Sequence, residues 1–226
     1  MKLSVQIAAR QKKYPRIDSE IIIIATKDDE IAAVSKKAIA VASKKLQLIV
    51  HLAGSLPSTI LSSRPGVARL TLHPIQTFPV PSGHHLRGIY WMASSSNREA
   101  IRWANEFTKS LGSNGIITLK SEDLPLYHAM TVLGSNFITL LFSGIEQIST
   151  ELGQPPKRMK AALRPLAKQS LENAIAKPAK SVLSGPIARK DFATIHKHQK
   201  ALKALDPKLR MLYDAFLSFA TKDSRK

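Results

Sequence analysis

Residues 21–24 are four consecutive isoleucines, set in "SEIIIIATKDDEI". A short β-branched run with no polar alternation predicts a strand covered on both faces of its sheet. That constrains the rest of the chain, because such a sheet needs helices packed above and below it. The following residues supply candidates. Asp28 stands where a helix N-cap belongs, ahead of "EIAAVSKKAIAVASKKL", in which Ile31, Val34, Ala38 and Val41 share a face. "QLIVHLAG" predicts a second buried strand ending at Gly54, and "SLPSTILSS" a short helix. "VARLTLHPIQTF" and "RGIYWMAS" read as two more strands, "REAIRWANEFTKSLG" as an amphipathic helix ending at Gly112, and "GIITLK" as a last strand. Strands alternating with helices predict an α/β fold built on a parallel sheet.

After Lys120 the pattern changes. A long apolar helix is predicted over about 123–152, then helical segments near 158–177, 191–205 and 207–221, broken by Pro155–Pro156, Gly185–Pro186 and Pro207. The expectation is two domains, α/β over 1–120 and all-helical over 121–226.

Composition removes several function classes. There is no cysteine, hence no disulfide framework, thiolate nucleophile or Cys-based zinc site, which fits the cytoplasm. The first twenty residues lack the apolar core of a secretory signal. Net charge is +18, and residues 154–226 carry 17 Lys/Arg against 5 Asp/Glu. Such a field attracts nucleic acid, anionic lipid or a phosphorylated cofactor alike. The basic residues are scattered singly with few aromatics among them, the pattern of solvated faces, so nucleic acid is not the expected partner. The 22 uncharged residues from Leu124 to Ile145 are long enough to cross a bilayer. They include His128, Thr131, Gly134, Ser135, Asn136 and Ser143, costly in lipid, so a helix buried in a domain or dimer is expected instead of a membrane span.

Five motifs occur in order: "LIVHLAGSLPSTIL", "HPIQTF", "PLYHAMTVLGSNFITLL", "LRPLAKQSLEN" and "LSGPIARKDFATIHKHQKAL". In this the chain resembles a bacterial family of Rossmann-like proteins assigned as oxidoreductases, which carry a C-terminal domain of unknown function, number 2520. Their architecture is similar to that of ketopantoate reductases and 6-phosphogluconate-type dehydrogenases. The resemblance implies a partial Rossmann-like parallel sheet, then an all-helical domain like the 6-phosphogluconate dehydrogenase C-terminal one. It also implies NADP or NAD as cofactor, a small and anionic substrate, and a homodimer formed through the helical half. A Rossmann half starts with a strand, a glycine-rich turn and a helix N-terminus that holds the pyrophosphate. Here no glycine precedes Gly54, so the chain is expected to begin at the family's third or fourth strand, truncated and without that loop.

Candidate site residues fall in three places. His128, Thr131, Ser135 and Thr139, spaced 3, 4 and 4, form a polar stripe on the long helix, with Tyr127 and Asn136 beside it. By the resemblance this helix faces nicotinamide and substrate, with His128, Ser135 and Asn136 as catalytic candidates and Tyr127 on the substrate side. Helix–helix hydrogen bonding explains the same stripe. In the second place, Asp191 is positioned to cap "FATIHKHQKAL", Thr194 and His198 lie four apart, and Arg189 suits a carboxylate or phosphate. Arg189, Asp191 and His198 are substrate-binding candidates, or a locked loop if Arg189 pairs with Asp191. Lys190 replaces a glycine of the family pattern. In the third, strand ends form the ligand crevice of parallel α/β sheets, which adds His73 and Thr77 on the substrate side and Thr26, His51 and Gly54 on the cofactor side. No carboxylate stands at ligand spacing to the histidines, so no metal site is expected. Two further readings stay open, a non-catalytic remnant that binds a ligand or partner through its helices, and an RNA-associated protein.

Overall fold

The computed structural model describes residues 15–79 and 86–221. Five strands form one sheet in the order β1 (Ile21–Ile24), β2 (Leu48–His51), β3 (Ala68–Pro74), β4 (Tyr90–Ser94) and β5 (Gly115–Thr118). β1, β2 and β3 are parallel, β4 runs antiparallel to β3, and β5 is parallel to β4. A helix, α1 (Ile31–Val41), lies between β1 and β2 and another, α2 (Arg98–Ser110), between β4 and β5, whereas among the described residues no α-helix links β2 to β3 or β3 to β4. The fold is thus Rossmann-like α/β with one reversed seam, followed by helices.

Alternation along the strands divides the core. Leu48, Val50, Leu70, Leu72, Trp91 and Ala93 pack against Ala100 and Ala104 of α2. Ile22, Ile24 and Ile49 face the other way, onto Ile31 and Ala38 of α1 and onto Leu61. Each such aliphatic side chain contributes about 1.5–3 kcal/mol by leaving water. The isoleucine run is covered unequally: Ile22 and Ile24 are buried, Ile21 packs partly against the core on the α2 side, and Ile23 is 42% exposed.

Asp28 does not cap α1. Asp28–Glu30 forms a 3-10 turn ahead of it, and neither Lys27 nor Glu30 makes a side-chain cap. α2 begins as the sequence suggests, with Asn97 Oδ1 accepting from Ala100 N at 3.0 Å. The long apolar helix is two helices, α3 (Leu124–Gly134) and α4 (Asn136–Glu151), separated at Ser135, whose φ −134° and ψ −73° are not helical. Gly134, Ser135 and Asn136 are poor helix formers in succession, and Ser135 Oγ turns back onto Thr131 O at 2.6 Å.

That break coincides with the division into two compact units, residues 1–136 and 137–226, later than the change of pattern at Lys120. α3 stays with the sheet because Leu124 and Tyr127 pack on Met92. The second unit contains α4, α5 (Pro156–Ala176), α6 (Gly185–Ala188), α7 (Phe192–Leu205) and α8 (Pro207–Thr221). Within it α7 and α8 are tied by Gln199 Nε2, which donates to Asp214 Oδ1 at 2.7 Å, while Arg210 Nε donates to Asp214 Oδ2 at 2.6 Å within α8.

Candidate functional site

The C-terminal ends of β2 and β3 bring together residues far apart in sequence. His73, near the end of β3, places Nδ1 2.7 Å from Tyr127 Oη on α3, the rings meeting edge to face. His128 lies across from His73 with ring centroids 6.1 Å apart. Both imidazoles close on Gly54, which follows β2. A Cβ there would stand 2.9 Å from His128 Nδ1 and 3.0 Å from His73 Nε2. Gly54 is therefore a close-approach glycine.

Burial decides the charge of this cluster. It pushes His73 down to about 4, reinforced by His128, and pushes the Tyr127 phenol up to about 12. Both groups are thus neutral at physiological pH. In the tautomer whose Nδ1 accepts from the phenol, the ring proton of His73 is on Nε2. His128 Nδ1 is buried and has no hydrogen-bond partner. A cavity of about 460 Å³ adjoins His73, lined largely by apolar side chains including Ile23, Leu52, Trp91 and Phe107.

The other strand-end candidates are placed differently. His51 is fully buried and both its nitrogens are used. Nδ1 accepts from Ala53 N at 3.3 Å, and Nε2 lies 3.0 Å from Thr71 Oγ1 and 3.3 Å from Pro57 O. Thr71 Oγ1 in turn donates to Leu56 O, so the circuit pins the loop after β2 and leaves His51 no nitrogen for a ligand. Thr26 and Thr77 are exposed in the loops after β1 and β3, with Thr26 Oγ1 on Lys27 O and Thr77 N on Gln76 Oε1.

The stripe on the predicted single helix is divided by the break. His128 and Thr131 belong to α3, Ser135 sits at the break, and Thr139 lies on α4 in the second unit. Asn136 is exposed, and its Oδ1 accepts from Ser135 Oγ at 2.9 Å. Tyr127, expected beside the stripe, is the member that meets His73. A tyrosine and a histidine 54 positions apart carry no local signal of contact, although both fall inside family-like motifs.

In the second unit Asp191 caps α7, accepting from Thr194 N at 3.1 Å and from Thr194 Oγ1 at 2.8 Å. Those bonds hold its carboxyl below the usual carboxylate range, with Arg189 contributing at longer reach. Arg189 is exposed. His198 Nδ1 lies 3.0 Å from Tyr213 Oη on α8. Lys190 adopts φ +55°, a left-handed conformation that glycine takes without cost. Among the described residues no group of three or more His, Cys, Asp or Glu is arranged to hold a metal ion.

Solved structures share this fold. A Bacteroides fragilis protein designated an NADP oxidoreductase is 21% identical, with 92% of this chain and 77% of that one aligned at a TM-score of 0.76. A Thermotoga maritima protein is 20% identical, covering 93% and 78%, at 0.70. The Plasmodium falciparum pyrroline carboxylate reductase, solved with NADP bound, is 16% identical, covering 90% and 78%, at 0.56. Comparison with curated protein sequences gives no match. The family model for the domain of unknown function DUF2520 matches residues 89–218, from just before β4 to within α8 and more than half of the chain, and the protein belongs to that family.

Proposed function

We propose that the protein is an NAD(P)-dependent oxidoreductase acting on a small substrate. The observation that carries this is the His73–Tyr127 pair, neutral and close-packed on Gly54 at the strand ends where α/β sheets of this class bind ligands. Solved structures of the same fold, one an NADP-bound reductase, support the cofactor assignment. When bound, the nicotinamide supplies or accepts the hydride.

The chain's own residues do the rest. His73 holds a proton at Nε2, where a carbonyl oxygen or imine nitrogen is a fitting acceptor, and Tyr127 fixes the ring from behind. Gly54 keeps room for both imidazoles. The fit is to the reacting end of a dinucleotide. Among the described residues, the helix start next to β1 carries Asp28, Asp29 and Glu30, a sign of charge that repels a diphosphate.

That acidic turn favours a second reading, a non-catalytic protein that binds a ligand or partner through its helices. Titration with NADPH and NADH, followed by nicotinamide fluorescence, separates the two. Saturable binding, with turnover of 2-oxo acids or cyclic imines that falls at least tenfold in His73→Gln and Tyr127→Phe, supports the oxidoreductase. A folded protein that binds neither nucleotide supports the second reading.

The same proposal includes a cytoplasmic homodimer. In the second unit the buried residues among those described are Gly144, Ser149 and Ile195, while Leu140, Leu166, Ile175, Phe192, Met211 and Phe219 are all at least 60% exposed. Apolar surface on that scale marks an association face. Residues 121–151 are apolar and long enough to cross a membrane, but they break at Ser135, and α3 places Leu124 and Tyr127 on the sheet. A protein partner suits that stretch better than lipid.

A further inference from the structure

Two imidazole nitrogens converge on one point beside Gly54. The position that a Cβ would take there lies 2.9 Å from His128 Nδ1 and 3.0 Å from His73 Nε2, both hydrogen-bonding distances. Neither nitrogen is used by the described residues. His73 engages Tyr127 Oη through Nδ1 and makes no other hydrogen bond among them, and His128 Nδ1 is buried without a partner. Folded proteins leave few buried polar atoms unpaired, and two facing one point are a binding feature in need of an explanation. Gly54, lacking a side chain, keeps a methyl group from coming between the rings.

The bonding capacity of that point selects an oxygen. In the tautomer that accepts from Tyr127, His73 presents an N–H at Nε2, while His128 presents either an N–H or a lone pair at Nδ1. A carbonyl oxygen has two lone pairs and accepts from two N–H groups at once. The hydroxyl into which reduction converts it accepts from His73 and donates to a lone pair on His128. An imine nitrogen has a single lone pair, which His73 takes, and His128 is left unpaired. Such a buried, unpaired nitrogen lowers affinity on the order of tenfold. Charge acts in the same direction. A cyclic imine accepts hydride as its iminium cation, whereas burial here disfavours a cation and pushes His73 down to about 4.

We propose that this site takes an aldehyde or ketone and the corresponding alcohol, not a cyclic imine and its amine, with the substrate oxygen held between His73 Nε2 and His128 Nδ1. His128 is then a second ligand to the reacting group, and Gly54 sets how closely that group approaches. This rests on the oxidoreductase reading above and names its substrate class.

The test uses the full chain, isotope-labelled at its histidine nitrogens, and two panels of probes. Pyruvate, 2-oxobutyrate, butanal and cyclopentanone make up one panel, and 1-pyrroline, 2-methyl-1-pyrroline and 1-piperideine the other. Without nucleotide, a bound carbonyl probe should shift the NMR signals of His73 Nε2 and His128 Nδ1 together. With NADPH, the cyclic imines should fall behind the carbonyl panel by about tenfold or more in kcat/KM. His128→Phe keeps a ring and removes the nitrogen, so it should raise KM for the carbonyl substrate about tenfold, with a smaller change in kcat. His128→Asn, whose amide reaches the place of Nδ1, should restore KM to within about threefold of wild type. If both variants fail to fold, the wild-type spectra and panels still decide. Preferred turnover of the imines, or a carbonyl probe that moves His73 alone, overturns the proposal. So does saturable NADPH binding by a chain that takes neither panel. A folded chain that binds no NADPH overturns the oxidoreductase reading itself, and this proposal with it.

Discussion

At the scale of single residues, the site depends on an atom that is missing. Gly54→Ala places a methyl group about 3 Å from both imidazoles, and the rings have to move. Overpacking of this kind costs about 1–3 kcal/mol. His73 should swing away from Tyr127, and its NMR titration midpoint should rise from about 4 toward 6.5. An unchanged midpoint would show that the rings do not need the space. The cluster also gives stability a pH signature. The folded-state value of His73 lies below its unfolded value, and burial shifts His51 the same way, so the unfolded chain binds more protons between about 4 and 6.5. Stability from this source is complete above pH 6.5 and is lost as pH falls toward 4. Tyr127 has the opposite sign, contributing fully below pH 10 and losing its contribution as pH rises through about 12. Urea midpoints should be flat from pH 6.5 to 10 and fall on both sides, and a midpoint rising below pH 6 contradicts the burial of His73.

At the scale of elements, the legible parts were those whose signal is local. The isoleucine run, "LIVH" and "YWMA" are strands because β-branched and aromatic residues in short apolar runs leave few other options. Asp191 caps α7 because a short polar side chain there satisfies an N–H that the helix cannot. Two features escaped. The reversal of β4 against β3 is a tertiary pairing, which the residue types along either strand do not reveal. The break at Ser135 turns on one serine's hydrogen bond to Thr131 O within an apolar run that reads as continuous. The site was half legible: His73 and Tyr127 both drew attention, but their contact is tertiary, while His51 proved to be committed to the loop after β2. The α6–α7 turn offers a test at this scale. Lys190 holds φ +55°, and the left-handed region costs a side chain about 1–2 kcal/mol. Lys190→Gly should therefore raise stability by about 1 kcal/mol in urea unfolding, less the entropy glycine adds to the unfolded chain. A loss would mean that the lysine side chain contributes more than its backbone costs.

At the scale of the whole molecule, charge and apolar surface oppose each other. The +18 charge opposes close approach of two copies, whereas the homodimer proposed above would bury the exposed apolar residues of the second unit. Salt screens the first and leaves the second, so the dimer dissociation constant should fall as ionic strength rises from 0.05 to 0.5 M. Sedimentation equilibrium reads this directly. A constant that rises instead would point to an interface built from ion pairs. Such experiments need a marker that reports whether the sheet has survived, and the His51 circuit provides one. Its ring proton is enclosed between Thr71 and Pro57 and hidden from solvent. In a nitrogen-detected spectrum it should exchange slowly and hold its position. The histidine least available for chemistry thus becomes an internal reference, silent for as long as the strands around it remain paired.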